Sequence, residues 1–146
     1  MGAAYYAFDS EDQLKKYRQE DEKNGKTFLY GSQNRIKFRN SLTLNLAETK
    51  KALEGDYVVR LKVVGGAKVN VNDEIRGNIS VSTDLLDDKI LLKSDGLPTY
   101  HFANVVDDKL MEITDVIRGE EWLPSLPIHK LIYDAFNWNL PRFMHL

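Results

Sequence analysis

A chain of 146 residues, 42% hydrophobic, with no cysteine and a net charge of −2, can bury a core as one domain or two small ones. Its composition argues against general disorder, and the lack of cysteine excludes a disulfide framework and a thiolate zinc site. No apolar run is long enough to span a bilayer and no basic-then-apolar secretory start is present, so the expectation is a cytoplasmic protein with no membrane partner. Residues 1–94 carry 16 Lys+Arg against 14 Asp+Glu, and residues 95–146 carry 4 against 8. Such a split suits a first part that faces phosphate and a second part around a small site, although ordinary scatter in surface composition accounts for it as well.

In chain order, residues 1–8 are apolar and aromatic and predict a strand. Ser10 with Gln13 makes a capping box for a highly charged helix over 11–24, stopped by Gly25. Residues 31–34 read as a turn. The alternation Arg35-Ile36-Lys37-Phe38-Arg39, if extended, would put three cations on one face, suited to a phosphate backbone; a half-buried strand with a solvated outer face is the bland alternative. Residues 43–54 can hold a short helix ended by Gly55. From Tyr57 the period becomes two: a strand over 57–64, a Gly65-Gly66 turn, and a returning strand over 68–72 with Val69 and Val71 on one face. Strand character continues around Gly77 through Ile79 and Val81, then residues 84–88 predict a turn or short helix and 89–93 another strand.

From Asp95 the pattern changes to helix, strand, helix. Pro98 opens a helix over 99–110, residues 111–117 read as a strand, and 120–123 as a helical turn that Pro124 and Pro127 should interrupt. An amphipathic helix over 127–136 follows, with Ile128, Ile132 and Phe136 at helical spacing. Tyr100 and Asn104, four apart, share a helix face. Arg118, Glu120, Glu121 and Trp122 fall at the carboxyl end of the strand, the edge where open α/β sheets bind ligands. A core tyrosine and a solvated RGEE turn are the plain alternative. The tail 139–146 offers no evident element, and a lone strand between two helices lacks a partner, so a piece of a longer protein is expected.

The run DGLPTYHFANVVDD (95–108) together with VIRGEEW (116–122) closely resembles the bacterial-type glutamyl-tRNA synthetases, class I aminoacyl-tRNA synthetases, at the spacing that family uses. Residues 73–96 resemble it too, so the likeness is close over the last half and loose over the first. It implies an α/β (α+β) chain: an inserted connective domain that binds the tRNA acceptor end over 1–94, then part of a Rossmann-like catalytic fold over 95–146. It also implies the reaction. A glutamate carboxylate attacks the α-phosphorus of ATP, releasing pyrophosphate, and a terminal ribose hydroxyl of tRNA(Glu) then takes the acyl group, with Mg2+ held by phosphates. The protein's work in such chemistry is positioning and charge stabilisation.

Carried over residue by residue, Tyr100, Asn104 and Arg118 belong to the glutamate pocket, and Glu121 and Trp122 to the ATP side. Arg35, Lys37 and Arg39 are the candidate tRNA contacts. A guanidinium can pair a carboxylate through two hydrogen bonds, while a phenol and an amide fix orientation. His101, His129 and His145 match no structural zinc spacing, and where some members carry a cysteine-rich segment this chain reads Tyr5-Tyr6-Ala7-Phe8, so no zinc or other protein-held metal is expected. The family's two ATP signatures, HIGH and KMSKS, are absent, so no catalytic residue is assigned and the chain alone is expected to be inactive. Lys109 and Asn137 stand where the family has His and Gly. Two other readings stay open: a stand-alone tRNA-binding module, and a relative that glutamylates a modified tRNA base.

Overall fold

The computed structural model describes residues 2–146. In chain order the elements are β1 (Ala4–Ala7), α1 (Glu11–Lys23), α2 (Leu46–Ala52), β2 (Val58–Leu61), β3 (Lys68–Asp73) and β4 (Gly77–Ser82). There follow β5 (Ile90–Leu92), α3 (Tyr100–Leu110), β6 (Asp115–Arg118), α4 (Leu126–Ala135) and β7 (Arg142–His145). They form two compact units, one of Met1–Val63 with Asp87–Leu97, the other of Val64–Leu86 with Pro98–Leu146.

The first unit is built on an antiparallel sheet, β1-β2-β5, with Ala4 opposite Leu61 and Ala7 opposite Val58. Tyr5 and Ala7 alternate inward and meet Tyr30 and Phe38, whose rings stack at 4.4 Å. Helix α1 begins as its sequence predicts: the Ser10 hydroxyl accepts from the Gln13 N–H, and the Gln13 side chain accepts from the Ser10 N–H. At its other end Gly25 takes φ 68°, the left-handed conformation that ends a helix most cheaply. No residue of α1 is buried, in keeping with its charge.

Two expectations are corrected here. The 35–39 stretch is not extended: Arg35–Lys37 is a 3-10 turn. With three residues per turn, Arg35 and Phe38 share the inner face, while Ile36, Lys37 and Arg39 stay outside. Arg35 is buried against Asp88 (3.2 Å) and also donates to the Val63 carbonyl, so it is withdrawn from any phosphate. Nor does Gly65-Gly66 join two paired strands. Both edges of β2 are already taken, by β1 and β5, so the chain leaves that sheet at the glycines and β3 pairs with β4 instead.

Asp88 is the polar centre of this unit. Its carboxylate accepts from the Tyr5 hydroxyl (2.6 Å) and the Val63 N–H (3.0 Å) beside the Arg35 guanidinium. Arg60 donates to the Asp88 carbonyl (2.9 Å) and lies 3.9 Å over the Tyr30 ring. Burial pushes the Asp88 carboxyl up, against these donors and the two guanidiniums. A buried carboxylate held so completely is an internal joint.

The second unit carries a four-stranded sheet in the order β4-β3-β7-β6. Strands β3, β7 and β6 run parallel, and β4 returns antiparallel on β3. Strand β7 was not foreseen. It lies inside the sheet and supplies the partner that the expected lone strand β6 lacked, with Asp115 opposite Arg142 and Arg118 opposite His145. Buried Val69 and Val71 of β3 and Phe143 of β7, with Leu126, Ile128, Ile132 and Tyr133 of α4 and Val105 of α3, make the core. The expected division at 94/95 therefore differs from the compact units, because β3 and β4 share a sheet with the later strands.

Local rules explain the rest. Pro124 does not interrupt the turn after β6: a 3-10 stretch over Glu120–Ser125 passes through it, and Pro127 sits in the first turn of α4, where its missing N–H costs nothing. Asn137, after α4, has φ 54°. That left-handed position suits the glycine expected there from the resemblance, and asparagine is among the side chains that tolerate it best.

Candidate functional site

The last residues of the three parallel strands are Asp73 (β3), His145 (β7) and Arg118 (β6). They stand at the carboxyl edge of the sheet, where strand ends and following loops leave room for ligands. Alternation in β3 turns Val69, Val71 and Asp73 inward, so a carboxylate occupies the third position of a buried face. In β7 the same alternation buries Phe143 and His145.

These groups join in one chain of hydrogen bonds. Arg118 Nε donates to His145 Nε2 at 2.9 Å, and His145 Nδ1 lies 2.6 Å from Asp73 Oδ2. On its other side Arg118 Nη1 lies 3.4 Å from His129 Nδ1, and His129 Nε2 lies 3.1 Å from His101 Nδ1. A guanidinium nitrogen cannot accept, so the histidine nitrogens facing it are unprotonated. His145 then carries its proton on Nδ1 and donates to Asp73, and His129 carries its proton on Nε2 and donates to His101. Both imidazoles against Arg118 are neutral acceptors. Burial, then the Arg118 charge, lowers His129 to about 3. Burial pushes the Asp73 carboxyl up, but the bonds from His145 and from the Arg76, Ile75 and His145 N–H groups outweigh it and hold the group at about 2.

Arg118 Nη2 is buried with no hydrogen-bond partner among the described residues. Tyr100 packs on Trp122 (ring centres 4.8 Å apart) and faces His129 (6.3 Å), the imidazole that Arg118 Nη1 also approaches. Tyr100 and Trp122 keep 48% and 37% of their surface open, enough for a ligand to reach both rings. The fold thus brings Tyr100 and Arg118 to two sides of His129, with Trp122 packed on Tyr100. Asn104 lies one helical turn on from Tyr100, half-buried, with no side-chain hydrogen bond among the described residues. Glu121 folds back over Gly119, where an added Cβ would fall on its carboxylate. Arg76 donates to the His145 carbonyl (3.0 Å) and pairs with Glu120 (2.7 Å), fixing the start of the 3-10 stretch.

Sequence reasoning missed Asp73, Arg76, His129 and His145 as site residues. The period-two pattern of 68–73 held a signal for Asp73, a buried carboxylate that must have a partner. Nothing comparable announced His145, because its strand was not recognised. Among the described residues no group of three or more His, Asp or Glu side chains is placed to hold a metal ion. The histidines are interleaved with the Arg118 cation.

A family model, tRNA synthetases class I (E and Q), catalytic domain, matches residues 1–146. The chain belongs to this family. Among similar class I synthetases, the glutamate–tRNA ligase of Christiangramia forsetii is 54% identical over 99% of this chain and 29% of its own length, and that of Flavobacterium johnsoniae is 51% identical with the same coverage. The crystal structure of a glutamate tRNA ligase from Elizabethkingia meningosepticum in complex with its amino acid superposes with a TM-score of 0.97, at 50% identity, over 100% of this chain and 30% of that one. The glutamate-tRNA synthetase of Elizabethkingia anophelis superposes at 0.96, also at 50% identity, over 99% and 30%. The mixed α/β, Rossmann-like class expected from the synthetase resemblance is the class observed. The chain spans less than a third of the relatives it matches. No helix among the described residues is long and apolar enough to cross a membrane.

Proposed function

We propose that this chain is part of a glutamate–tRNA ligase that activates L-glutamate with ATP and transfers it to the 3′ end of tRNA(Glu), in the cytoplasm. The observation that carries the reading is Arg118: its Nη2 has no hydrogen-bond partner among the described residues, its Nη1 shares His129 with the open Tyr100–Trp122 pair, and it stands at the carboxyl edge of a parallel sheet. Relatives named as glutamate–tRNA ligases, one of them crystallised with its amino acid, support it. In this reading Arg118 meets a glutamate carboxylate, while Tyr100 and Asn104 orient the substrate. Glu121 and Trp122 serve the ribose or adenine side of ATP, whose phosphates carry Mg2+; no zinc is required.

The acceptor-end contact is assigned to the first unit rather than to all of 1–94, since β3 and β4 belong to the sheet that ends in Arg118. Lys37 and Arg39 are its candidate phosphate contacts. Both are exposed, and Arg39 shares an open depression with Lys51. Arg35 is excluded by its burial against Asp88.

The test is Arg118→Ala in the full-length ligase. Loss of charge-assisted hydrogen bonds worth about 3 kcal/mol raises the glutamate KM about a hundredfold, with the ATP KM little moved. An unchanged glutamate requirement overturns the assignment. For the first unit, Lys37→Ala with Arg39→Ala lowers the salt dependence of tRNA binding by about two in log–log slope at most; an unaltered slope removes both residues from the interface.

A further inference from the structure

Arg118 is held in an uncommon way. Its polar neighbours at hydrogen-bond distance are two imidazole nitrogens, His145 Nε2 at 2.9 Å and His129 Nδ1 at 3.4 Å. Among the described residues no carboxylate pairs with it. The nearest link to one runs through His145, whose other nitrogen is 2.6 Å from Asp73. A carboxylate in direct contact would fix the guanidinium equally well but would neutralise it, and an incoming anion would then meet a spent charge. A neutral acceptor fixes the direction and leaves the charge in place. Asp73 decides that His145 is such an acceptor: by accepting a hydrogen bond from Nδ1–H it holds the proton there and keeps Nε2 bare toward Arg118. Asp73 is itself locked, since Oδ1 also accepts from the Ile75 N–H (3.0 Å) and the Arg76 N–H (2.9 Å). Asp108 is a further carboxylate whose charge is felt at Arg118. It lies on α3, makes no ion pair with Arg118 among the described residues, and is pushed up by burial.

We infer that Asp73 and His145 are positioning residues that present Arg118 as an un-neutralised cation to the carboxylate of the bound amino acid. This rests on the reading of Arg118 given above. Neither residue touches the substrate; each acts through the guanidinium.

The experiment uses the full-length ligase, charging tRNA at varied glutamate and varied ATP. Arg118→Ala is run beside His145→Glu, His145→Gln and Asp73→Asn, with the melting temperature of each measured. His145→Glu keeps a hydrogen bond but brings a negative charge onto Arg118, and it raises the glutamate KM at least tenfold more than His145→Gln, which keeps a neutral acceptor. Asp73→Asn removes the charge that fixes the tautomer and raises the glutamate KM about tenfold, roughly the worth of one hydrogen bond to a charged group. The ATP KM stays within about twofold in each, less than half a kcal/mol. Nitrogen-15 resonances of labelled histidine in the unmutated enzyme assign His145 as neutral and protonated on Nδ1, a readout independent of activity and of whether any variant folds.

Equal effects of His145→Glu and His145→Gln overturn the inference, as does an Nε2-protonated His145, or glutamate and ATP KM values that rise together with a fallen melting temperature. If Arg118→Ala itself leaves the glutamate KM alone, it is the underlying reading that fails. If Arg118→Ala raises it while His145→Glu and Asp73→Asn do not, only the positioning role fails.

Discussion

Each unit of this chain contains a buried aspartate and an arginine that depends on it, and the two pairs are wired differently. In the first unit Arg35 lies directly on Asp88, 3.2 Å away, and both are buried. In the second, Arg118 reaches Asp73 only through the imidazole of His145. Direct contact sets two opposite charges against each other inside the core and makes a structural joint. An intervening neutral ring keeps the geometry and preserves the cation. The lesson is that residue type does not separate a structural arginine from a binding one; the partner in contact with it does.

Breaking the direct pair has the largest expected effect on stability. Arg35→Ala strands Asp88 in the core and lowers the unfolding free energy of the chain by about 3–5 kcal/mol, read as a shifted urea midpoint at unchanged slope. A loss below about 1 kcal/mol, the size of an exposed pair, shows that Asp88 does not depend on Arg35.

The second pair is sharpened by pH. His129 is lowered from 6.5 to about 3 in the folded unit, so below its unfolded value the unfolded chain binds a proton that the folded one refuses. Its stabilising share is complete above about pH 6.5 and is lost as pH falls toward about 3, with a slope of at most about 1.4 kcal/mol per pH unit. Asp73, lowered from 3.8 to about 2, adds a loss of the same sign beneath pH 3.8. Denaturation at stepped pH checks this: His129→Gln flattens the pH 6.5–4 limb, and a flat limb in the unaltered chain removes the premise.

Smallest is a yardstick away from both pairs. Ser10→Ala removes the exposed cap of α1 and costs about 1 kcal/mol by thermal or chemical unfolding, with no effect on glutamate dependence in the full-length protein. A loss as large as that of Arg35→Ala means that α1 carries more of the first unit than its bare surface suggests.

Local signals made much of this legible in the letters. The Ser10–Gln13 capping box, the Pro98-led helix and the inward Val69 and Val71 follow from rules that act within a few residues. Tyr100, Arg118 and Trp122 follow from a family likeness, and in the fold His129 is the link between Tyr100 and Arg118. What stayed hidden depends on pairing between distant segments. That β2 has no free edge cannot be seen from Gly65-Gly66, which on its own reads as a hairpin turn. Arg35 looked available because an extended period was assumed where three residues make a turn. Histidine spacing speaks only to metal patterns and is silent on His145, whose role comes from lying beside Arg118 on a neighbouring strand.

The placement of β7 sets an order of events. It slots between β3 and β6, two strands that leave the ribosome before it, so while it is still being made the sheet is open along its middle. Until Arg142–His145 arrive, Arg118 lacks its closer imidazole, that of His145, and the Asp73 carboxylate lacks the ring it holds. A nascent chain halted at Leu140 should therefore expose the flanks of that gap to proteases, and synthesis through His145 should close them in a single step.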